Sequence, residues 1–184
     1  MHPQTHLAAS WLVGCRLAAR RDRVLVAWAG MAPDLDGLSL LAGVEVYGRW
    51  HHVLTHGLVS AVVVTAVCAA FARERWKVAL LAPVAFHLHL VCDLLGSGVE
   101  WSIAYLYPFN AAELATPYGW PLASWQNVLI TAVLLAACAA VGVRRGTTVS
   151  EAFLPARADR AVVRALRSWL APRRAAAPEV AGGS

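Results

Sequence analysis

The sequence predicts an all-α, multi-span helical membrane protein whose His and Asp side chains gather near one membrane face. Three observations predict it. Of the 184 residues, 59% are hydrophobic and 15% charged, with a mean hydropathy of +0.54; soluble domains average about 45–50% apolar. The apolar runs are separated by short basic turns at 20–23, 73–77 and 144–145, the pattern of loops held on one side of a bilayer. Finally, an imidazole and a carboxylate, His89 and Asp93, stand inside the apolar run 78–95, where an ionisable group without a partner is costly and marks a site.

Runs 7–19 and 24–32 are shorter than the roughly 20 residues of a full crossing, so both are expected to lie half-buried against longer helices. The Pro33-Asp34-Leu35-Asp36-Gly37 stretch reads as a turn, and 38–46 is a third, weaker run. Residues 53–72 are expected to be the first full-length span, closed by Arg73, Arg75 and Lys77, and 78–95 returns across the bilayer. Residues 96–127 carry Trp101, Tyr105, Tyr107, Tyr118, Trp120 and Trp125 among several prolines, which reads as an interfacial loop with rings at headgroup level. The last span, 128–143, starts as early as Trp125 and stops at Arg144-Arg145.

Residues 1–145 are thus expected to form a membrane-embedded domain, and 146–184 a basic tail. In that tail, a helix over 157–170 places Val162, Leu166, Trp169 and Leu170 on one face and Arg160, Arg164 and Arg167 on others. Such a helix suits either packing or an anionic leaflet. Residues 171–184, rich in Ala, Pro and Gly, are expected to be disordered. The distribution of Lys and Arg assigns the basic turns and the tail to the cytoplasmic side. The first residues lack the charged start and cleavage site of a signal peptide and are expected to be kept.

The net charge of +5 comes with no Cys/His finger and no basic stripe interleaved with aromatics, so no nucleic-acid partner is expected. Cys15, Cys68, Cys92 and Cys138 are scattered singly and read as small buried hydrophobes. The expected partners are membrane lipid and a metal ion.

His89 and Asp93 are one helical turn apart and share a face. Imidazole nitrogen with carboxylate oxygen suits zinc first and manganese second. Counted outward from the basic turns, the chain reaches His6, Asp34 and Asp36, His51 to His56, and His89 with Asp93. At about 1.5 Å per residue these lie about 15–25 Å from the basic face, so the candidate ligands are expected to meet near the opposite face. Of the three close imidazoles, His52 and His56 are paired at i,i+4, whereas His51 and His56 meet only if a helix begins after His51. His87 lies on another face and reads as a hydrogen-bonded helix histidine. Arg49 and Glu100 read either as an anion clamp and proton carrier or as loop charges.

His6, Asp34, Asp36, His51, His56, His89 and Asp93 exceed the four ligands of a structural zinc and allow a two-metal site acting on a phosphoester. Asp34 or Asp36, whichever is less committed to metal, is the candidate to take a proton from water. No HExxH, GxSxG or phosphate-cradling Gly loop competes. The alternative is a non-catalytic membrane protein that uses the cluster to hold, sense or transport metal. Transport calls for a polar path toward the basic face, and the inner halves of the two spans carry only Ser60 and Thr65.

Thr5-His6, Pro33-Asp34-Leu35-Asp36, His51-His52-Val53-Leu54-Thr55-His56-Gly57, and His89-x-x-x-Asp93-Leu94-Leu95 followed by Tyr107-Pro108-Phe109 resemble, in order and spacing, the bacterial inner-membrane metal-dependent hydrolase family, one branch of which is associated with the DNA-damage response. The motif set also looks like that of the zinc-dependent phospholipase C group. The likeness spans roughly residues 1–109. It implies a membrane-bound metal-dependent hydrolase in the bacterial inner membrane; the expectation of phosphoester substrates comes from the two-metal chemistry, and that of lipid-like ones from the aromatic loop between Trp101 and Trp125, suited to admitting an amphiphile from the bilayer. The likeness also implies His51 and His56 as ligands. Two positions depart from the pattern: His52 stands where the family has Arg, and Gly57 where it has Ser.

Overall fold

The structure, a computed structural model, describes residues 1–170. Among these residues the regular structure is helical: α1 (Pro3–Gly14), α2 (Arg20–Ala29), a 3-10 segment (Ala32–Ala42), α3 (Val44–Trp50), α4 (Leu58–Phe71), α5 (Arg75–Gly96), α6 (Trp125–Arg145), a short 3-10 turn (Val149–Ala152) and α7 (Ala156–Leu170). One isolated antiparallel bridge, Ile103 with Leu114, pins the long loop before α6. The expectation of disorder for 171–184 lies outside the described residues.

The long helix α5 packs against α1, α2 and α4. Small residues set the spacing. Ala82 and Ala85 of α5 are buried with Ala29 and Val26 of α2 and Cys68 of α4, and on the other side Ala8 and Trp11 of α1 meet Ala27 and Cys138. Where the facing residues are alanine, cysteine or glycine the helix backbones approach closely, which is how helices associate in lipid. Gly14 shows it directly, because an added Cβ would lie 2.9 Å from Val26 Cβ. All four cysteines are buried and free, as the scattered spacing implies.

α5 and α6 are long and apolar enough to cross a membrane, and α2 with the following 3-10 segment, bent by 54°, adds up to a third span. The span expected over 53–72 is shorter. Its helix starts only at Leu58 and has 14 residues, because 51–57 is drawn into a non-helical corner around Asp36. The ends of α6 are conventional. Ser124 stands at its start, and Gly146 at φ +77° closes it with a backbone bond to the Gly142 carbonyl, the left-handed cap that glycine adopts without strain.

The basic turns collect at one end of the bundle. Asp22 at the start of α2 accepts the backbone N–H groups of Arg73 and Glu74 at 2.8 and 2.9 Å, capping the entry to α5. Residues 146–170 close this end by docking on α1 and α2: buried Glu151 holds Arg23 at 2.6 and 2.7 Å and Trp11 Nε1 at 2.8 Å, and Asp159 of α7 holds the hydroxyls of Thr148 and Ser150. The histidine and aspartate motifs lie toward the other end of α5.

Candidate metal centre

Three elements aim imidazoles at one volume. α5 presents His89 and Asp93 on the same face, as their one-turn spacing requires; both are buried. α1 starts with Pro3, whose missing N–H costs nothing in a first turn, and carries His6 so that its ring stacks on His89 with centroids 3.7 Å apart. The corner 51–57 supplies His56, fully buried.

The corner is organised by Asp36. Its Oδ1 lies 2.7 Å from His51 Nδ1; its Oδ2 lies 2.9 Å from His56 Nδ1 and accepts the backbone N–H groups of His52 and Thr55. Thr55 Oγ1 accepts from the Asp36 N–H and donates to the Pro33 carbonyl. The chain turns through this arrangement at His52, whose φ of +68° is left-handed, uncommon for a residue with a side chain. His52 and His56 are therefore not i,i+4 partners on a helix, although their ring centroids lie 4.4 Å apart, and His51 and His56, with α4 starting after both, meet on Asp36. Gly57 lets the corner approach the aromatic loop: its Cβ would lie 2.9 Å from the Tyr105 carbonyl oxygen, the acceptor of the Leu58 N–H.

With Nδ1 of His56 on Asp36 and Nδ1 of His89 on the Gly30 carbonyl at 2.7 Å, both rings leave Nε2 free to ligate, the orientation that outer partners impose on metal-binding histidines. His56 Nε2, His89 Nε2 and Asp93 Oδ2 have no hydrogen-bond partner although all are buried. They stand near one another and near Asp34: His89 Nε2 to Asp93 Oδ2 is 2.8 Å, His56 Nε2 to Asp93 Oδ2 is 3.5 Å, and His89 Nε2 to Asp34 Oδ1 is 3.6 Å. Ligands at about 2.1 Å from a tetrahedral ion stand about 3.4 Å apart. The donor set of Asp34, His56, His89 and Asp93, all mutually within 4.8 Å, thus fits a divalent cation in both chemistry and spacing. His6 Nε2, 3.1 Å from Asp93 Oδ1, is a neighbouring donor that also lacks an aligned bond. Asp93 Oδ1 further meets the Met1 amine and accepts from Ser97 Oγ. Asp36, His51 and His56 form a second close group.

The centre is open on one side. A cleft of about 390 Å³ is lined by Asp34, Tyr47, His51, His52, Asp93 and Trp101, among others, and Asp34 keeps 29% of its side chain exposed. Burial lowers the His52 imidazole to about 3 and keeps it neutral. Burial acts the same way on His56, but the carboxylates of Asp36 and Asp93 outweigh it and raise that imidazole to about 9, so a cation binding at Nε2 would displace a proton from it. His87 stands apart: Nδ1 meets the Pro83 carbonyl and Nε2 the Tyr105 hydroxyl. Arg49 and Glu100 are exposed and line a neighbouring cleft of about 370 Å³ beside His51.

Residues 1–168 match the YdjM inner membrane protein family. The chain belongs to that family. Together with the apolar helices, this makes it an inner-membrane protein. Every candidate ligand falls inside the YdjM match, which extends well past the motifs that end at residue 109 and takes in α6 and most of α7. No curated protein and no solved structure matches the chain.

The backbone contributes groups to this YdjM centre that the motif spacing does not announce, above all the Gly30 carbonyl that aims His89. The signal for Gly30 is a packing one. Its Cβ would fall 1.8 Å from Ser10 Oγ and 3.0 Å from the Ala85 carbonyl oxygen, so the position takes glycine only where three helices meet.

Proposed function

We infer that the protein is a membrane-bound metal-dependent hydrolase of phosphoester or lipid-like substrates. The observation that carries the reading is the convergence of unpartnered His56, His89 and Asp93 atoms beside Asp34, which opens onto a cleft. An ion bound there supplies Lewis acidity to a phosphoester oxygen and lowers the pKa of water toward neutrality.

The chain's own residues divide the remaining work. His56, His89 and Asp93 would hold the ion, with Asp34 Oδ1 as the fourth donor; Asp36 and the Gly30 carbonyl orient the two imidazoles. Asp36 has both oxygens engaged by His51, His56 and two backbone N–H groups, so it positions and does not move protons. Asp34, with Oδ2 unpartnered, is the acceptor for the proton that water loses. His52, neutral and lining the cleft, offers a hydrogen bond to a phosphoryl oxygen where the resembling family has an Arg.

The test uses detergent-purified protein loaded with zinc or manganese, assayed for bound metal and for hydrolysis of bis-p-nitrophenyl phosphate and of a phospholipid. His56→Ala and Asp93→Asn should lose metal and activity together. Asp34→Asn keeps an amide oxygen in the place of Oδ1 but no basic oxygen, so it should retain metal while turnover drops about 10²- to 10⁴-fold, the usual range for removing a general base. Loaded protein that cleaves neither substrate would sink the reading. The burial of His6, His56, His89 and Asp93 favours a second one, a structural ion; in that case Asp34→Asn changes nothing measurable and loss of metal unfolds the protein.

A further inference from the structure

The basic end of the bundle has no free acidic counterpart among the described residues. Asp22 is spent on two backbone N–H groups, Glu151 on Arg23 and Trp11, and Asp159 on Thr148 and Ser150; all three are buried. Glu74 pairs with Lys77. The charge that reaches the surface is therefore cationic, with Arg16, Arg21, Arg73, Arg75 and Arg144 all exposed.

Within that surface one place is shaped. A furrow of about 370 Å³ lies between the end of α1 and the start of α5, lined by the apolar Val13, Leu17, Trp76, Leu80 and Leu81 and by the cationic Arg16 and Lys77. Its polarity follows from helix geometry. On α5, Leu80 and Leu81 lie one turn inward from Lys77, so on that side positive charge gives way to apolar wall going into the span, and Arg16 stands in the turn just past the end of α1. Trp76 is exposed, with Lys77 Nζ 5.6 Å from the ring centre; an exposed Trp at a span end sits at headgroup level. The Arg16 guanidinium makes no ion pair or hydrogen bond among the described residues; only its backbone carbonyl is engaged, by Arg145.

We propose that this furrow is a binding site for one anionic phospholipid, its phosphate against the unpaired Arg16 guanidinium, beside the Lys77–Glu74 pair, and one tail along Leu80 and Leu81. The site is separate from the candidate metal centre and does not depend on the hydrolase reading. Charge complementarity and the head-to-tail order of the furrow select an anionic lipid over a zwitterionic one and over a water-soluble phosphate.

The experiment titrates detergent-purified full-length protein with dioleoylphosphatidylglycerol, dioleoylphosphatidylcholine and glycerol 3-phosphate. It reads bound lipid by native mass spectrometry and the melting temperature by tryptophan fluorescence. Phosphatidylglycerol should bind and raise the melting temperature, and the other two should not. Arg16→Glu should weaken phosphatidylglycerol about tenfold, in keeping with reversing one surface charge near an anionic headgroup. Leu80→Trp, which fills the furrow without changing charge, should weaken it as well. Arg157→Glu on α7, at the same end but outside the furrow, should leave affinity within about twofold. Equal binding of phosphatidylcholine, equal binding of glycerol 3-phosphate, full affinity in both furrow variants, or a loss in Arg157→Glu matching that in Arg16→Glu would each overturn the site.

Discussion

Changing Asp36 to Asn preserves the size of the side chain but puts a donor where His51, His56 and two backbone N–H groups all need an acceptor. Zinc affinity should fall about 10- to 100-fold, the usual effect of removing a partner that orients a ligating histidine, as isothermal titration would register. The metal-stripped protein should also show a stability optimum near neutral pH. The buried His52 stays neutral down to about 3 while the unfolded chain protonates near 6.5, so stability is lost as pH falls from about 6.5 toward 3. His56 keeps its proton up to about 9, so its contribution is full below about 6.5 and is lost as pH rises through 9. Thermal denaturation in detergent with chelator at pH 5, 7 and 9 checks both limbs; a flat profile would contradict both. At this scale the pair His89 and Asp93 was legible because one helical turn is a geometric constant. The fate of His51 and His52 was not. Their placement depends on a left-handed residue in a corner that only a distant carboxylate stabilises.

Among the elements, α4 shows how tertiary bonds outrank hydropathy. Val53 and Leu54 are as apolar as the residues that follow, and composition extends the helix through them; Asp36 instead captures the His52 and Thr55 N–H groups and ends the helical register there. Where α1, α2 and α5 meet, Gly30→Val should push its carbonyl off His89, since Ser10 and Ala85 leave no room for a side chain. Zinc binding should drop with helical circular dichroism preserved, and an unchanged affinity would disconnect Gly30 from the centre. The junction of α5, α6 and the aromatic loop is held by Asn127, buried, which bonds the Gly96 and Leu122 carbonyls and accepts from Trp120 Nε1, each at 2.8 Å. Asn127→Leu leaves those groups unpaired and should cost about 2–3 kcal/mol, read as a lower denaturation midpoint. That junction had no signature beyond a polar residue near the start of an apolar run.

At the scale of the whole molecule, convergence of the motifs was legible from arithmetic alone: chain length from each basic turn, at a fixed rise per residue, brings His6, Asp34, His56 and Asp93 to one level, and the helices do so. How the tail closes the other end was not legible, because Glu151 reads as an ordinary loop acid until Arg23 and Trp11 are beside it. Glu151→Ala should destabilise by about 3–5 kcal/mol by stranding a buried guanidinium, and the double change of Arg23 and Glu151 to Met should recover most of it, as chemical denaturation in detergent would show. The charge pattern also predicts sidedness. A cysteine placed at Arg160 should resist an impermeant thiol reagent in intact cells, and one at Tyr118 should react; the reverse would invert the topology. One dimension of the fold bears on the surrounding membrane. The 14 residues of α4 measure about 21 Å, some 9 Å less than the roughly 30 Å hydrocarbon thickness, and its N-terminal end leads into the histidine corner. Hydrophobic mismatch should therefore thin the bilayer over the centre and let water reach a level that lipid otherwise excludes, so that reconstitution into 14-carbon lipids gives faster zinc exchange than into 22-carbon lipids.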